Sequence, residues 1–249
     1  MEVHINPSYT QLTDFIMSVP KHEYTPEKVY CNRRNTVERV SYKGQQYVIK
    51  KYKRPVLLNC VVYTWFRKNK PLRAYENAET LLKNGFDTAA PIAYLIFKKN
   101  GFYHTGYFIS EYIPYPTLDE VFREGTDNER KEWESAFVDY TVRLHQAGII
   151  HRDYNARNLI VHKEGDKHCI AMIDINQLTF GKVTPRAAMV SLELFRQDIP
   201  HLETLIPAYA KGMGFDVDEC LNLLRQSQER RAKRRAFKHW FKRNILGKK

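Results

Sequence analysis

The chain has 249 residues, of which 43% are hydrophobic and 27% charged. These values are typical of a folded protein with a buried core, and they exclude a collagen-like or largely disordered chain. The 40 lysines and arginines outnumber the 28 acidic residues, which gives a formal charge of +12. So basic a surface attracts phosphate-bearing partners such as nucleotides, nucleic acid or an anionic membrane, and charge alone does not select among them.

The cysteines and the apolar segments limit the class of protein further. The four cysteines are far apart and form no C-x-x-C pair, so their spacing indicates neither a zinc site nor a disulfide framework. The N-terminal residues lack the basic start and apolar core of a signal peptide. The longest apolar stretch, residues 89–97, is far shorter than the ~20 residues that span a bilayer. We expect a protein that is neither exported nor membrane-spanning.

The first 112 residues have the pattern of a sheet with one helix. Residues 30–52 alternate β-branched and aromatic positions around Lys43-Gly44, which predicts a β-hairpin. The apolar runs 91–97 and 106–113 predict a second antiparallel pair. Between the two pairs, Pro71 opens a helical pattern. Its predicted apolar face consists of Leu72, Tyr75, Ala78 and Leu82.

The pattern becomes helical after Pro114 and Pro116, so we place the boundary between two lobes near residues 111–117. A capping box at residues 126–129 predicts the start of a helix. One stripe of that helix carries Trp133, Phe137, Tyr140 and Leu144. The predicted regions are 1–112, 113–224 and 225–249.

The third region holds most of the net charge, since residues 225–249 contain eleven lysines or arginines and a single acid. Phe237, Trp240, Phe241 and Ile245 follow helical spacing, which predicts a basic amphipathic helix with an aromatic face. Such a face favours attachment to an anionic membrane surface. Packing against the lobes and binding of nucleic acid are the alternatives, and nucleic acid is the less favoured.

Residues 151–158 read H-R-D-Y-N-A-R-N, and Asp174 ends an apolar strand downstream. These are the groups that phosphoryl transfer needs. A carboxylate such as Asp153 orients the attacking hydroxyl and accepts its proton, while the Asn158 amide oxygen and the Asp174 carboxylate suit Mg²⁺. The pattern therefore predicts a kinase whose catalytic base is Asp153.

This segment resembles the protein-kinase-like fold, which implies an α+β bilobal architecture with an N-terminal antiparallel sheet and a mainly helical C-terminal lobe. The resemblance implies that Lys50 binds the nucleotide phosphates of ATP and that Val48 covers the adenine from the same face. It also implies that Glu76, or alternatively Glu79, holds Lys50 in place. The Glu111 carbonyl and the Ile113 amide are the expected hydrogen-bonding groups for adenine.

Several positions depart from the kinase pattern. No G-x-G-x-x-G precedes Lys50, so other backbone amides, or Arg33 and Arg34, are expected to cover the phosphates. Asp174-Ile175-Asn176 replaces D-F-G. Asn155 stands where a lysine is common, and Arg157 is expected to supply the missing positive charge during catalysis.

Only 75 residues follow Asp174, so we expect little of the platform on which protein kinases bind peptides. The chain is instead similar to the lipopolysaccharide kinases of the Kdo/heptose branch. This resemblance rests on residues 73–95, on the loop 151–161, on the segment 173–182 and on the basic stretch 50–70.

The resemblance implies an ATP- and Mg²⁺-dependent kinase that phosphorylates a lipid-linked core sugar. Kdo on a lipid A precursor is the expected acceptor, at the cytoplasmic face of the inner membrane. One alternative is a small atypical serine/threonine kinase of the RIO type. The other is a pseudokinase that binds a membrane or RNA.

Overall fold

The structure is a computed structural model that describes residues 1–33, 35–53 and 68–244. The chain forms two compact units. The first contains Met1–Tyr115 and Ala171–Asn176, and the second contains Pro116–Ile170 and Gln177–Lys249. The first break falls within the boundary region predicted from sequence. The segment around Asp174 differs from the prediction: it belongs to the first unit because Ala171 and Met172 pair with Asp87 and Thr88 there.

The first unit contains a six-stranded antiparallel sheet with the order β1-β6-β7-β4-β3-β2. A short strand, β5 (Asp87–Thr88), lies outside it. The sheet strands are β1 (Glu2–Ile5), β2 (Lys28–Asn32), β3 (Asn35–Tyr42), β4 (Gln45–Tyr52), β6 (Pro91–Lys99) and β7 (Phe102–Glu111).

The β3–β4 hairpin confirms the predicted turn. Lys43 and Gly44 connect the strands with φ of 50° and 78°. Two positive φ values define the two-residue turn whose twist matches that of the paired strands. The turn therefore sets the register of β3 and β4, which places Lys50 of β4 opposite Val37 of β3.

The main core of the first unit lies between the sheet and an N-terminal segment. Helix α1 (Thr13–Ser18) buries Phe15 and Ile16 against Ile49 of β4 and Ile109 of β7. The sequence analysis predicted no element in this segment. Its burial of apolar side chains against the sheet supports the strand that carries Lys50.

Helix α2 (Lys70–Lys83) begins where Pro71 predicted it, and the Asn69 side chain caps it by accepting the Leu72 N–H. The predicted apolar face is partly wrong, because Leu82 is 43% exposed and Leu81 is buried in its stead. The buried positions follow helical periodicity along one side of the helix. They are Pro71, Ala74, Tyr75, Asn77, Ala78 and Leu81.

The second unit is mainly helical. Thr126 and Glu129 form the predicted capping box at the start of a 20-residue helix, Asp127–Gln146. The helices are α3 (Leu118–Glu124), α4 (Asp127–Gln146), α5 (Pro185–Leu192), α6 (Ile206–Met213) and α7 (Val217–Asn244). The strands that contribute to this unit are β8 (Ile149–His151), β9 (Leu159–Glu164), β10 (Lys167–Met172, up to Ile170) and β11 (Leu178–Phe180).

Helix α7 begins at Val217, before the boundary that the charge pattern predicted at residue 225. Its first turns are part of the second unit, since Cys220 and Leu224 are fully buried. Further along, Phe237 and Trp240 are 64% and 55% exposed. Leu224, the last buried side chain among the described residues of the helix, directly precedes the change in charge. Ile245 of the predicted aromatic face lies outside the described residues.

Most of the basic stretch 50–70 also lies outside the described residues. In the part of the chain that the structure describes, no helix combines the length and apolar character needed to cross a membrane.

Candidate active site

Strand β4 presents Lys50 and Val48 on one face. Tyr47 and Ile49 are buried in the core of the first unit, whereas Val48 and Lys50 are only partly buried on the opposite face. This period-two alternation is the one predicted for the strand. A nucleotide lying along that face can contact both the valine side chain and the lysine amine.

The Lys50 amine pairs with Asp174, not with Glu76 as the sequence analysis predicted. Lys50 Nζ forms an ion pair with Asp174 Oδ1, and Lys68 Nζ lies 2.6 Å from Glu76 Oε1. Glu76 does not lie on the buried side of α2, and its side chain is 38% exposed. Glu76 therefore faces a surface lysine, Lys68. Lys50 pairs with Asp174 in place of the expected Glu76.

Asp174 has a left-handed backbone conformation with φ of 54°. Few residues other than glycine adopt this region, and asparagine and aspartate are enriched among those that do. Asn176 Nδ2 donates to Asp174 Oδ1 at 2.6 Å. Together with Lys50, this bond fixes the direction of the carboxylate, whose side chain remains 32% exposed.

Two distant polar side chains support the backbone on either side of Asp174. The buried Asn77 of α2 donates from Nδ2 to the Ile175 carbonyl at 2.6 Å. Thr88 Oγ1 donates to the Met172 carbonyl, also at 2.6 Å. Sequence reasoning missed both residues, although an asparagine on the apolar face of a predicted helix was a signal for a buried hydrogen bond.

Tyr52 forms the buried wall beside the pair. Lys50 Nζ lies 5.6 Å from the centre of its ring. Burial, and then the Asp174 charge, raise the pKa of Tyr52 well above its usual value. The ring therefore stays neutral and provides a cation–π contact for the lysine.

At the end of β7, the Glu111 N–H donates to the Ala90 carbonyl at 3.0 Å and the Tyr112 N–H donates to the Gln46 carbonyl at 3.2 Å. Within the described ranges, no hydrogen bond uses the Ile113 N–H. The predicted adenine-binding amide is thus available. The structure places Ile113 directly after the strand that pairs with β4.

The Glu111 side chain has a partner that sequence reasoning missed. Tyr9 Oη donates to Glu111 Oε1 at 2.8 Å. Burial and this hydrogen bond raise the pKa of Tyr9 to about 12, so the phenol remains a donor. The N-terminal segment thereby fixes the end of β7.

In the second unit, the loop that carries Asp153 is held by buried neighbours. His151 is fully buried, and its Nδ1 accepts the Asp153 N–H at 3.0 Å. Ser191 Oγ of α5 donates to the His151 carbonyl at 3.0 Å. His151 therefore has an architectural role in the loop. The Asp153 side chain, by contrast, is exposed.

Asparagines complete this loop. Asn158 Nδ2 donates to the Asp153 carbonyl at 2.8 Å, and Asn155 Nδ2 donates to the same oxygen at 2.9 Å. Asn155 Oδ1 also accepts the Arg157 N–H at 3.2 Å. Since the Asn158 amide nitrogen is used inside the loop, its amide oxygen points away from that bond and is available to a cation.

Asp198 holds the other side of the loop by accepting the Ala156 N–H at 3.1 Å. Burial raises the pKa of Asp198, while the Ala156 hydrogen bond and the Arg157 charge act in the opposite direction. The Arg157 side chain is exposed. Asp198 was not singled out from sequence, because it lies 42 residues beyond its partner.

The predicted phosphate-covering segment is the β2–β3 hairpin. Lys53 Nζ donates to the Arg33 carbonyl at 2.9 Å and to Asn32 Oδ1 at 3.0 Å, which stabilises its turn. Arg33 is exposed, and Arg34 lies outside the described residues. The exposed Arg33 side chain can bind an anion.

Residues 26–188 match the model of the lipopolysaccharide kinase (Kdo/WaaP) family. The match covers more than half of the chain and includes every predicted site residue. No curated protein sequence matches the chain significantly.

Three solved structures have a similar fold. WaaP in complex with acyl carrier protein is 17% identical with a TM-score of 0.65, covering 94% of this chain and 99% of that chain. The Rio2 kinase-ADP/Mg²⁺-phosphoaspartate complex from Chaetomium thermophilum is 12% identical with a TM-score of 0.50, covering 86% and 75%. WbdD is 16% identical with a TM-score of 0.50, covering 82% and 46%. These similarities confirm the predicted protein-kinase-like fold.

Proposed function

The chain belongs to the lipopolysaccharide kinase (Kdo/WaaP) family, and from this premise we propose that it transfers the γ-phosphate of ATP to a hydroxyl of Kdo on a lipid A precursor. Family membership sets the reaction class, a phosphotransferase of lipopolysaccharide. The observation that supports phosphoryl transfer to a hydroxyl is the Asp153 loop: its backbone is fixed by buried and amide groups while its carboxylate is exposed. The Kdo acceptor is proposed from the family.

ATP binding is proposed for the first unit. Lys50 supplies a positive charge for the phosphates, and Val48 supplies an apolar contact for the adenine from the same face of β4. The Glu111 carbonyl and the Ile113 N–H supply the hydrogen-bonding edge. The ion pair between Lys50 and Asp174 keeps the lysine extended along that face before the nucleotide arrives.

The chain's oxygen donors fit Mg²⁺. The Asp174 carboxylate is partly exposed and oriented by two hydrogen-bond donors, and the Asn158 amide oxygen points away from its own loop bond. Hard oxygen ligands in small number, completed by phosphate and water, are what Mg²⁺ prefers. We assign Asn158 and Asp174 as its ligands; when bound, the ion neutralises charge on the phosphates.

Asp153 is proposed as the catalytic base. It accepts the proton of the attacking sugar hydroxyl, and its fixed backbone places the carboxylate before substrate binds. Arg157 offsets charge on the transferred phosphoryl group.

We further propose that the exposed part of α7 attaches the protein to the cytoplasmic face of the inner membrane. Phe237, Trp240 and Phe241 are exposed together on a strongly basic helix. Aromatic side chains partition into the headgroup region, and each nearby basic residue adds about 1 kcal/mol of attraction to anionic lipid.

The test is to incubate the full chain with γ-labelled ATP, Mg²⁺ and a Kdo-bearing lipid A precursor in detergent. We expect label in the glycolipid, and loss of that label with Asp153→Asn and with Asp174→Ala. Asp127→Asn, which changes an exposed aspartate of α4 in the same way, serves as the matched control and keeps full activity.

Other destinations of the label distinguish the alternatives. Label on protein serine or threonine in place of the glycolipid would support an atypical protein kinase and overturn the Kdo proposal. Absence of any label with a folded protein would support a pseudokinase.

Flotation with anionic vesicles tests α7 separately: Trp240→Ala and Phe237→Ala should reduce binding. Retention by acyl carrier protein with no vesicle binding would identify a protein partner for this helix.

A further inference from the structure

The β9–β10 hairpin of the second unit carries three side chains with metal-binding atoms. Among the described residues, His162, Glu164 and Cys169 place one nitrogen, one carboxylate oxygen and one sulfur all within 4.8 Å of one another. His162 and Glu164 are alternate residues of β9, so they lie on one face of the strand. Cys169 comes from the neighbouring strand, β10.

The three groups differ in burial in a way that suits a bound ion. Cys169 is buried, His162 is partly buried, and Glu164 is exposed. His162 Nε2 already lies 3.2 Å from Glu164 Oε1. The Glu164 carboxylate therefore already lies beside a second ligand atom of the group.

Two other side chains of this hairpin, Lys163 and His168, contact α4. Lys163 Nζ lies 2.6 Å from Glu132 Oε2 of α4, and His168 Nε2 lies 3.7 Å from the same oxygen. Lys163 and His168 are therefore drawn toward α4, and neither belongs to the three-residue group. The three-residue group is therefore not paired with α4, and its exposed member, Glu164, is open to solvent.

We propose that His162, Glu164 and Cys169 form a binding site for a divalent transition metal of the Zn²⁺ class. An imidazole, a carboxylate and a thiolate are ligands of Zn²⁺, whereas Mg²⁺ prefers oxygen alone. In a tetrahedral zinc site, bond lengths of about 2.0–2.3 Å put ligand atoms about 3.3–3.6 Å apart. The observed cluster needs only side-chain adjustments to reach this geometry, and water takes the fourth position.

Binding is an acid–base exchange without oxidation. A metal–sulfur bond forms as the Cys169 S–H bond breaks, and the proton passes to the solvent. The ion then links β9 to β10 close to the turn of their hairpin. This site is independent of the proposed phosphoryl transfer, because none of its three residues is assigned to ATP, Mg²⁺ or the acceptor.

The test uses Co²⁺ as a spectroscopic substitute for Zn²⁺ with the full chain, without nucleotide. We expect one equivalent of Co²⁺ to give thiolate-to-metal charge-transfer absorption that Zn²⁺ removes. Cys169→Ser should abolish the absorption. His162→Gln and Glu164→Gln should weaken the affinity at least about tenfold, since even losing an outer-shell partner of a ligand costs about 10–100-fold.

Two matched controls keep the result specific. His168→Gln changes the neighbouring histidine of β10, and Cys31→Ser removes a free cysteine of the first unit; both should bind Co²⁺ as the unmodified chain does. Glu164 is exposed, so its variant tests the site even if Cys169→Ser unfolds the hairpin. Absence of charge-transfer absorption, or absorption that survives both Cys169→Ser and Glu164→Gln, would overturn the proposal.

Discussion

The two aspartates of the candidate site are supported in different ways. Asp153 is held mainly by its own segment: His151, Asn155 and Asn158 bond its backbone from at most five residues away. Asp174 pairs with Lys50, which is 124 residues distant along the chain. The turn around it is supported from 98 residues away by Asn77. One carboxylate is positioned by a local motif and the other by the assembled unit.

This difference indicates which substitutions should disturb each aspartate. The Asp153 loop is held mainly by its own residues, with Ser191 and Asp198 as its more distant supports. The Asp174 turn depends on β4, α2 and β5 together, and it has a left-handed φ that the surrounding structure must maintain. Substitutions far from Asp174 in sequence should therefore disturb it, whereas the Asp153 loop should respond mainly to changes nearby.

The largest effect is expected from Lys50→Met, which removes the charged partner of Asp174 and the amine that we propose binds the ATP phosphates. Loss of one charged donor to a developing anion costs about 10²–10³-fold in kcat. Steady-state kinetics with varied ATP should show that fall. Lys51→Met is the matched control, because Lys51 is the adjacent lysine of β4 and lies over the Tyr107 ring; a comparable loss there would contradict the assignment of Lys50.

Asn77→Ala should destabilise the Asp174 turn. It leaves the Ile175 carbonyl without its buried donor, which costs about 1–3 kcal/mol of unfolding free energy. Chemical denaturation measures this loss. Asn84→Ala removes a similar side-chain bond, to the Thr80 carbonyl, at an exposed position, and it should cost less than Asn77→Ala. Equal losses of unfolding free energy would show that the buried Asn77–Ile175 bond contributes no more than the exposed Asn84–Thr80 bond.

Acid should weaken the second unit through His145. Burial lowers its pKa from 6.5 to about 4, so the unfolded chain binds more protons between those values. The stability supplied by the neutral ring is complete above pH 6.5 and is lost as the pH falls toward 4; the loss is about 2 kcal/mol at pH 5. His145 bonds Tyr209 through Nδ1, and its ring lies 6.4 Å from that of Tyr154, beside Asp153.

Unfolding free energies at pH 8 and pH 5 test the role of His145. His145→Gln, which does not titrate, should reduce the difference between the two pH values by that amount. An unchanged difference would assign the acid sensitivity to other groups.

The smallest effect is expected from Asn155→Ala, which removes two hydrogen bonds at a partly exposed position. Each contributes about 0.5–1.5 kcal/mol at most. We expect a few-fold lower kcat with an unchanged KM for ATP, because the first unit is unaffected. Asn155→Asp keeps the acceptor for the Arg157 N–H and loses only the donor to Asp153, so it should be intermediate. A change in KM for ATP would show that the Asp153 loop affects the first unit. It would contradict the separate support of the two aspartates.

The same distinction explains what could be predicted from sequence. The Lys43-Gly44 hairpin and the capping box at Thr126 are local patterns, and the structure confirms the elements that they predicted. The fold class followed from the resemblance carried by residues 151–158 and Asp174. In the hairpin and the capping box, the residues that determine the geometry lie within one short segment.

Most of what sequence reasoning missed depends on contacts across the first unit, and Asp198 is the corresponding case in the second unit. The Lys50–Glu76 pair was wrong because helical spacing does not say which acid faces the sheet, and Glu76 faces Lys68 instead. The partners Tyr9, Asn77 and Thr88 act through contacts more than 80 residues apart. Such contacts can be read only once the strands are assembled.

The grouping of Ala171–Asn176 with the first unit has a consequence for how the protein is made. A nascent chain that has reached Tyr115 has every strand of the main sheet, yet it lacks the residues that satisfy Asn77, Thr88 and Lys50. At about 5–20 residues per second, synthesis needs several more seconds to deliver them. The first unit is begun early and completed late, since Lys50 gains its partner only once Asp174 has been synthesised.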